Sequence, residues 1–324
     1  MKKKWVIALI VVLVVVWLLS IGNEVTQKDN GKTKILTSFY PIYVMTLNVT
    51  KNTPNVEVTN MAENLRGCIH DYTLTTADLK KFENCNVFIQ NGNGLENFTD
   101  KIVESYPDVK VISTSENLKD ENFLKDGDET NSHIWLDLNN YINEVNTIKD
   151  ELTKVNPENA EIYEKNANSY IESITTLKNK YDTLFFENQK CVLLNESLSY
   201  LLNEINFKNI LIESDHEQSS VSAETIKNTI DQMKAEDIKI IIIDENDSKK
   251  VAETLASETG AQIITLNSGM NGQASLDAYL EIMESNYKIL DGIQTAQRSE
   301  NQDNANTITT NEVSTNEVSN NNAE

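Results

Sequence analysis

Eight short apolar runs, grouped in two sets of four, constrain the fold of this chain more than any other feature. The first set lies at residues 34–39, 56–61, 87–90 and 109–112; the second lies at 190–194, 209–212, 238–244 and 262–266. Segments of helical period separate them, for example 222–236 and 248–259. Continuous apolar, β-branched runs alternating with amphipathic helices predict parallel sheets covered on both faces. Each set spans roughly one hundred residues, enough for a core of its own.

A long helical stretch joins the two sets. Asn156 suits an N-cap, Pro157 the first helical position and Glu158 the first turn. From there to about Phe185 no Gly or Pro intervenes, and Ile162, Tyr170, Ile174, Leu177 and Leu184 recur on the apolar side. The expected fold class is therefore α/β, with two parallel-sheet lobes joined by a long rigid helix. A ligand cleft is expected between the lobes, where the C-terminal ends of the strands face each other. The boundaries that follow are 23–32 for a linker, 33–150 for the N-terminal lobe, 151–186 for the linking helix and 187–295 for the C-terminal lobe.

The ends carry different signals. Lys2, Lys3 and Lys4 precede an uncharged apolar run over residues 5–19, the layout of an export signal or membrane anchor occupying 1–22. Ser20 and Gly22 are small residues placed for a signal peptidase, and no cysteine follows the run to take a lipid. The expectation is an extracytoplasmic, membrane-anchored protein at the cell surface, or a secreted one if the segment is cleaved. Residues 296–324 are dominated by Asn, Thr, Ser and Glu and repeat Thr-Asn-Glu-Val-Ser in tandem, so this tail is expected to stay disordered.

A formal net charge of -22 disfavours nucleic acid, whose phosphates need clustered Lys and Arg. Cys68, Cys85 and Cys191 are an odd set that argues against a disulfide framework. Gly92-Asn93-Gly94 lacks the third glycine of a dinucleotide loop and reads as a turn. No Gly-x-Ser-x-Gly elbow and no phosphate loop is present. The chain has three histidines, and two stand in segments suited to presenting an imidazole: Gly67-Cys68-Ile69-His70-Asp71-Tyr72 and Asn131-Ser132-His133-Ile134-Trp135-Leu136-Asp137. Imidazole is the commonest metal ligand, and its second nitrogen is usually held by a carboxylate or carbonyl. Asp71 and Asp137 are candidates for that role. The competing reading is two ordinary histidines satisfied by local hydrogen bonds.

These blocks resemble the zinc- and manganese-binding receptors of bacterial ABC metal importers, the ZnuA-like proteins. The resemblance runs from about Lys34 to Leu290. It is carried by Thr37-Ser38-Phe39-Tyr40-Pro41-Ile42, the two histidine segments, Asn91-Gly92-Asn93-Gly94-Leu95-Glu96, and the late blocks 252–256 and 258–261. It implies a binding protein, not an enzyme, with Zn²⁺ (or Mn²⁺) as bound substrate and no organic cofactor. Its implied partners are an ABC permease and, through the N-terminal segment, the membrane; the receptor itself is expected to be a monomer. Two of the family's four ligand positions fall on His70 and His133. The other two fall on Asn195 and Asn267, neutral amides that add no charge against a dication. Glu196, next to Asn195, is a replacement donor, and His216 could supply a nitrogen, though an exposed loop histidine is the blander reading. Asp244 and Glu245 end another strand of the second set and read either as acids that support the ligands or as a solvated strand end. Cys68 reads either as a soft donor or as a small buried side chain. The acidic stretch 119–130 lacks the histidines that gather metal in many zinc receptors. The alternative to a receptor is a degenerate relative with weak or no metal binding, acting in surface interaction or sensing.

Overall fold

The computed structural model describes residues 31–296 and 298, except 64, 66, 127–128 and 213–220. The N-terminal segment, nearly all of the linker and tail, and His216 therefore lie outside the described residues. Among those described, no helix is long and apolar enough to cross a membrane.

Strands β1 (Thr33–Thr37), β2 (Val56–Asn60), β3 (Val87–Gln90) and β4 (Lys110–Ser113) form one sheet. A short antiparallel hairpin, β5 (Lys125–Asp126) and β6 (Glu129–Thr130), precedes the second sheet of β7 (Lys190–Leu193), β8 (Lys208–Leu211), β9 (Ile240–Asp244) and β10 (Gln262–Leu266). The orders are β2-β1-β3-β4 and β10-β9-β7-β8, and every pairing within the two sheets is parallel. Each sheet thus places its first strand beside its third, and the two share one topology. The α/β architecture read from the apolar runs is the one observed. The hairpin is too short and too polar to show as a period-2 pattern, and sequence reading passed over it.

The helices are α1 (Tyr40–Val49), α2 (Thr76–Phe82), α3 (Thr99–Ser105), α4 (Leu138–Val155), α5 (Ala160–Lys180), α6 (Ser199–Glu204), α7 (Ala223–Ala235), α8 (Lys250–Thr259) and α9 (residues 278–296). Local chemistry sets several of their ends. Thr75 and Asp78 close a reciprocal capping box on α2, Ser222 caps α7, and Gly260 ends α8 at φ 71°. On α4, Leu138, Tyr141, Val145, Ile148 and Leu152 recur every three or four residues and are all fully buried. At about 1.5–3 kcal/mol for each such side chain, that stripe outweighs the weak helix propensity of the Asn residues around it.

The linking helix differs in detail from its expected form. A 3₁₀ turn over Pro157–Asn159 precedes α5, and the helix ends at Lys180. Asn156 makes no side-chain cap; its amide bonds Thr33 and Tyr163 instead. One continuous apolar cluster runs from Ile35, Phe39 and Trp135 through Tyr141, Tyr163 and Ile174 to Leu193, Leu201, Leu266 and Met283. Tyr141 stacks on Tyr279 with ring centroids 3.5 Å apart. The two sheets therefore share a core, which resists wide hinge opening.

Within that core Glu144 of α4 is fully buried. One carboxyl oxygen accepts from Thr114 at 2.7 Å, and the other has no hydrogen-bond partner. Burial, with the negative charges of Glu96 and Asp137 adding to it, pushes its pKa up to about 8. The folded protein then holds a proton that the unfolded chain has already released, so stability is full below the unfolded carboxylate range and falls as pH rises through about 8. Glu144→Gln keeps an acceptor for Thr114 and cannot ionise. It is expected to raise Tm at pH 8 and leave it almost unchanged at pH 5, a pattern that a pair of thermal melts checks.

Candidate metal centre

The candidate side chains lie in the connections that follow strands, the region that parallel α/β sheets favour for ligands. His70 lies on a 3₁₀ turn, Ile69–Asp71, in the connection that follows β2. His133 precedes another, Ile134–Leu136, at the start of the approach to α4. Asn195 and Glu196 follow β7, and the turn Asp244–Asp247 follows β9. Ser268 and Met270 come after β10.

His133 is 3 % exposed, and one neighbour fixes its chemistry. Asn131 Oδ1 accepts from the His133 backbone N–H at 2.9 Å and lies 2.9 Å from Nδ1. The same amide donates through Nδ2 to the Glu196 carbonyl at 3.0 Å, which identifies Oδ1 as its acceptor end. Nδ1 therefore carries the proton, and the lone pair of Nε2 points the other way. It faces the Cys68 Sγ at 3.1 Å. Sequence reading had looked to Asp137 for the holding role. Asp137 instead caps α4, accepting from the backbone N–H of Asn139 and Asn140.

The His70 ring stands 6.4 Å from the His133 ring, centroid to centroid, and nearly perpendicular to it. Its side chain is 32 % exposed, with Nε2 3.3 Å from an Asp71 carboxylate oxygen. Asn97 holds the turn by donating to the His70 carbonyl at 2.6 Å. One donor atom each from Cys68, His70 and His133 falls within 4.8 Å of the others.

The C-terminal lobe contributes differently from expectation. Glu196 reaches His133 on the Nδ1 side, 3.8 Å away, and is not part of the Cys68–His70–His133 group. Asn195 lines the same small cavity as Cys68 and His133. Its oxygen, however, accepts from the backbone N–H and hydroxyl of Ser197, and its amide donates to Asp247 at 2.9 Å. The structure does not bring Asn267 to the imidazoles: its amide donates to Glu245 at 2.7 Å and its oxygen accepts from the Gly269 N–H at 2.6 Å. The residue passed over was Asp247. It lies in the turn that follows Asp244 and Glu245, and it lines the same small cavity as Cys68 and Asp244. Nothing in its local sequence separates it from the chain's many other acids.

Two cavities meet at His133. A cleft of about 840 Å³ reaches His70, His133 and Glu196 from outside. A second space of about 80 Å³ is bounded by Gly67, Cys68, His133, Asn195, Asp247 and Ser268. The electrostatics fit a cation and not a nucleophile. Burial drives the His133 pKa down to about 3 and pushes the Cys68 thiol up to about 12, where Glu196 and Asp71 also raise it. The proton thus stays on sulfur, opposite to the thiolate–imidazolium pair that a cysteine hydrolase needs.

Because His133 is protonated less readily in the folded state, the unfolded chain binds the extra proton between the ordinary histidine range and about pH 3. The metal-free protein should therefore lose stability as pH falls through that window. Nitrogen–proton correlation spectra should show His133 as the neutral Nδ1–H tautomer from pH 7 down to pH 5. A ring that protonates with an ordinary histidine midpoint contradicts the burial and the Asn131 clamp.

Comparison with known proteins places this geometry in a family. Residues 35–292 match the family described as ZnuA, zinc-uptake complex component A, periplasmic. The zinc-binding protein AdcA of Streptococcus pyogenes is 27% identical over 298 residues, covering 82% of this chain and 56% of AdcA. The chain thus spans little more than half the length of that relative. The manganese-binding lipoprotein MntA of Halalkalibacterium halodurans is 25% identical over 270 residues, covering 81% of this chain and 88% of MntA. Among solved structures, the Ni²⁺ complex of FpvC from Pseudomonas aeruginosa superposes with a TM-score of 0.72 at 26% identity, covering 82% of this chain and 98% of FpvC. AdcAII of Streptococcus pneumoniae gives a TM-score of 0.70 at 27% identity, over 81% and 98% of the two chains. With both sheets and both histidine segments inside the matched residues, the chain belongs to the ZnuA family.

Proposed function

We propose that this protein is the receptor of an ABC importer for a divalent metal, with zinc the preferred ion, and that it passes that ion to the permease of the same importer. The observation that carries the reading is the His133 ring, clamped at Nδ1 by Asn131 with Nε2 turned toward Cys68 and, beyond it, the His70 ring. A desolvated imidazole of fixed tautomer is a neutral nitrogen donor at any pH the cell surface meets. In this reading residues 33–150 and 187–295 act as two lobes on either side of the ion, and 151–186 is a strut between them. His70 and His133 are the donors from the first lobe, Glu196 guards the outer cleft, and Asn195 reaches the ion only by giving up its turn. Asn267 stays with Glu245.

Cross-lobe bonds support small movements on release. Trp135 Nε1 donates to the Ser268 carbonyl at 2.8 Å, Tyr40 to the Gln273 carbonyl at 2.7 Å and Tyr200 to the Asn131 carbonyl at 2.7 Å. The imidazole pair favours zinc over the oxygen-seeking manganese, and the AdcA relatives are described as zinc-binding. The amides at Asn195 and Asn267 favour a second reading, a relative that keeps the fold, binds metal weakly and serves in surface interaction or sensing.

Trp135 distinguishes the two. In a soluble form beginning at Gly31 it is the one tryptophan, and its ring lies 5.3 Å from that of His133. Micromolar zinc is expected to change its emission, and His70→Ala to abolish the change. A folded circular dichroism spectrum with no response to micromolar zinc rejects the receptor reading in favour of the second.

A further inference from the structure

We propose that Cys68 supplies a third donor to the ion, making the site of this chain a thiolate–bis(imidazole) centre that takes zinc in preference to manganese. The proposal rests on the receptor reading and deepens it. Its basis is the placement of Sγ 3.1 Å from the lone-pair nitrogen of His133, with a donor atom of His70 inside the same 4.8 Å group. A tetrahedral zinc with nitrogens near 2.0–2.1 Å and sulfur near 2.3 Å has donor–donor edges of roughly 3.3–3.7 Å. The Cys68–His133 edge is already close to that length. The His70 donor atom, within 4.8 Å of both, closes the third corner by a movement of its partly exposed ring.

In the metal-free protein the thiol donates its proton to His133 Nε2, as the Nδ1–H tautomer requires. On binding, the ion takes the place of that shared proton. The S–H bond breaks with its electron pair remaining on sulfur, a metal–sulfur bond forms, and the proton leaves to solvent. The thiolate then cancels one of the two cationic charges, which the amides at Asn195 and Asn267 cannot do. Asp247 lines the 80 Å³ cavity together with Asp244 and accepts from the Asn195 amide and the Asp244 backbone N–H; by giving up one of those bonds it supplies a carboxylate to the remaining corner. Ser268 lines the same cavity; it is 1 % exposed, and its hydroxyl oxygen has no hydrogen-bond partner. That orphaned group gains a partner once an ion with its water or carboxylate occupies the space. Thiolate is a soft donor that suits zinc and discriminates against manganese.

The test loads the purified full chain with Co²⁺ and records its absorption spectrum. Three results are expected together: visible bands of a four-coordinate ion, a near-ultraviolet thiolate-to-cobalt charge-transfer band, and loss of that second band in Cys68→Ser but not in Cys85→Ser or Cys191→Ser. In Cys68→Ser the preference for zinc over manganese, measured by competition, should narrow by roughly tenfold or more. Visible bands without charge transfer, or a charge-transfer band that survives Cys68→Ser, overturn the thiolate while leaving the receptor reading in place. No cobalt bands at all overturn both.

Discussion

The segment from Asn131 to Leu136 is the seam on which the candidate site hangs. It belongs to the first lobe by sequence but is hydrogen-bonded into the second at several points. Asn131 bonds the Glu196 carbonyl and accepts from Tyr200, Trp135 bonds the Ser268 carbonyl, and Tyr279 donates to the Trp135 carbonyl. Ile134, Trp135 and Leu136 are all fully buried. Because buried backbone groups lose heavily when left unpaired, this seam cannot slide by small steps. His133 is therefore held at a fixed place between the lobes, with its ring orientation set before any ligand arrives.

Preorganisation has a cost that is visible in the same residues. A buried neutral imidazole beside a buried thiol is stable only while both remain uncharged. The pair is a weak acid and a weak base held in their neutral forms, and in the receptor reading proposed above an arriving dication repays the desolvation of both. The pKa of Asp247, which lines the same cavity, is raised by burial and further by the charge of Asp244. The walls thus hold donors whose charges are suppressed in the empty protein and are called out by the ion.

The fold was legible because its signals are local and repeated. The runs at 87–90 and 262–266 coincide with observed strands, and the others agree to within two residues at their ends. Parallel strands buried on both faces leave continuous apolar runs, and no competing structure uses them at that spacing. That the two histidine segments come together was expected from their resemblance to a family, and the structure does place the two rings 6.4 Å apart. The C-terminal side of the site was not legible. Counting along the chain to Asn195 and Asn267 could not reveal that one amide caps its own turn and the other bonds Glu245.

Apolar periodicity determined, by sequence alone, the α/β lobes and their order, while the two histidine motifs, through the family they resemble, raised the expectation of a metal ligand. Tertiary structure decided which atoms meet: that Asn131 rather than Asp137 holds His133, that Cys68 lies against Nε2, and that Asp247 lines the cavity they share. The reason is one of range. Secondary structure follows from neighbours a few residues apart, whereas Cys68, His133 and Asp247 meet only after two separately wound sheets close on a shared core.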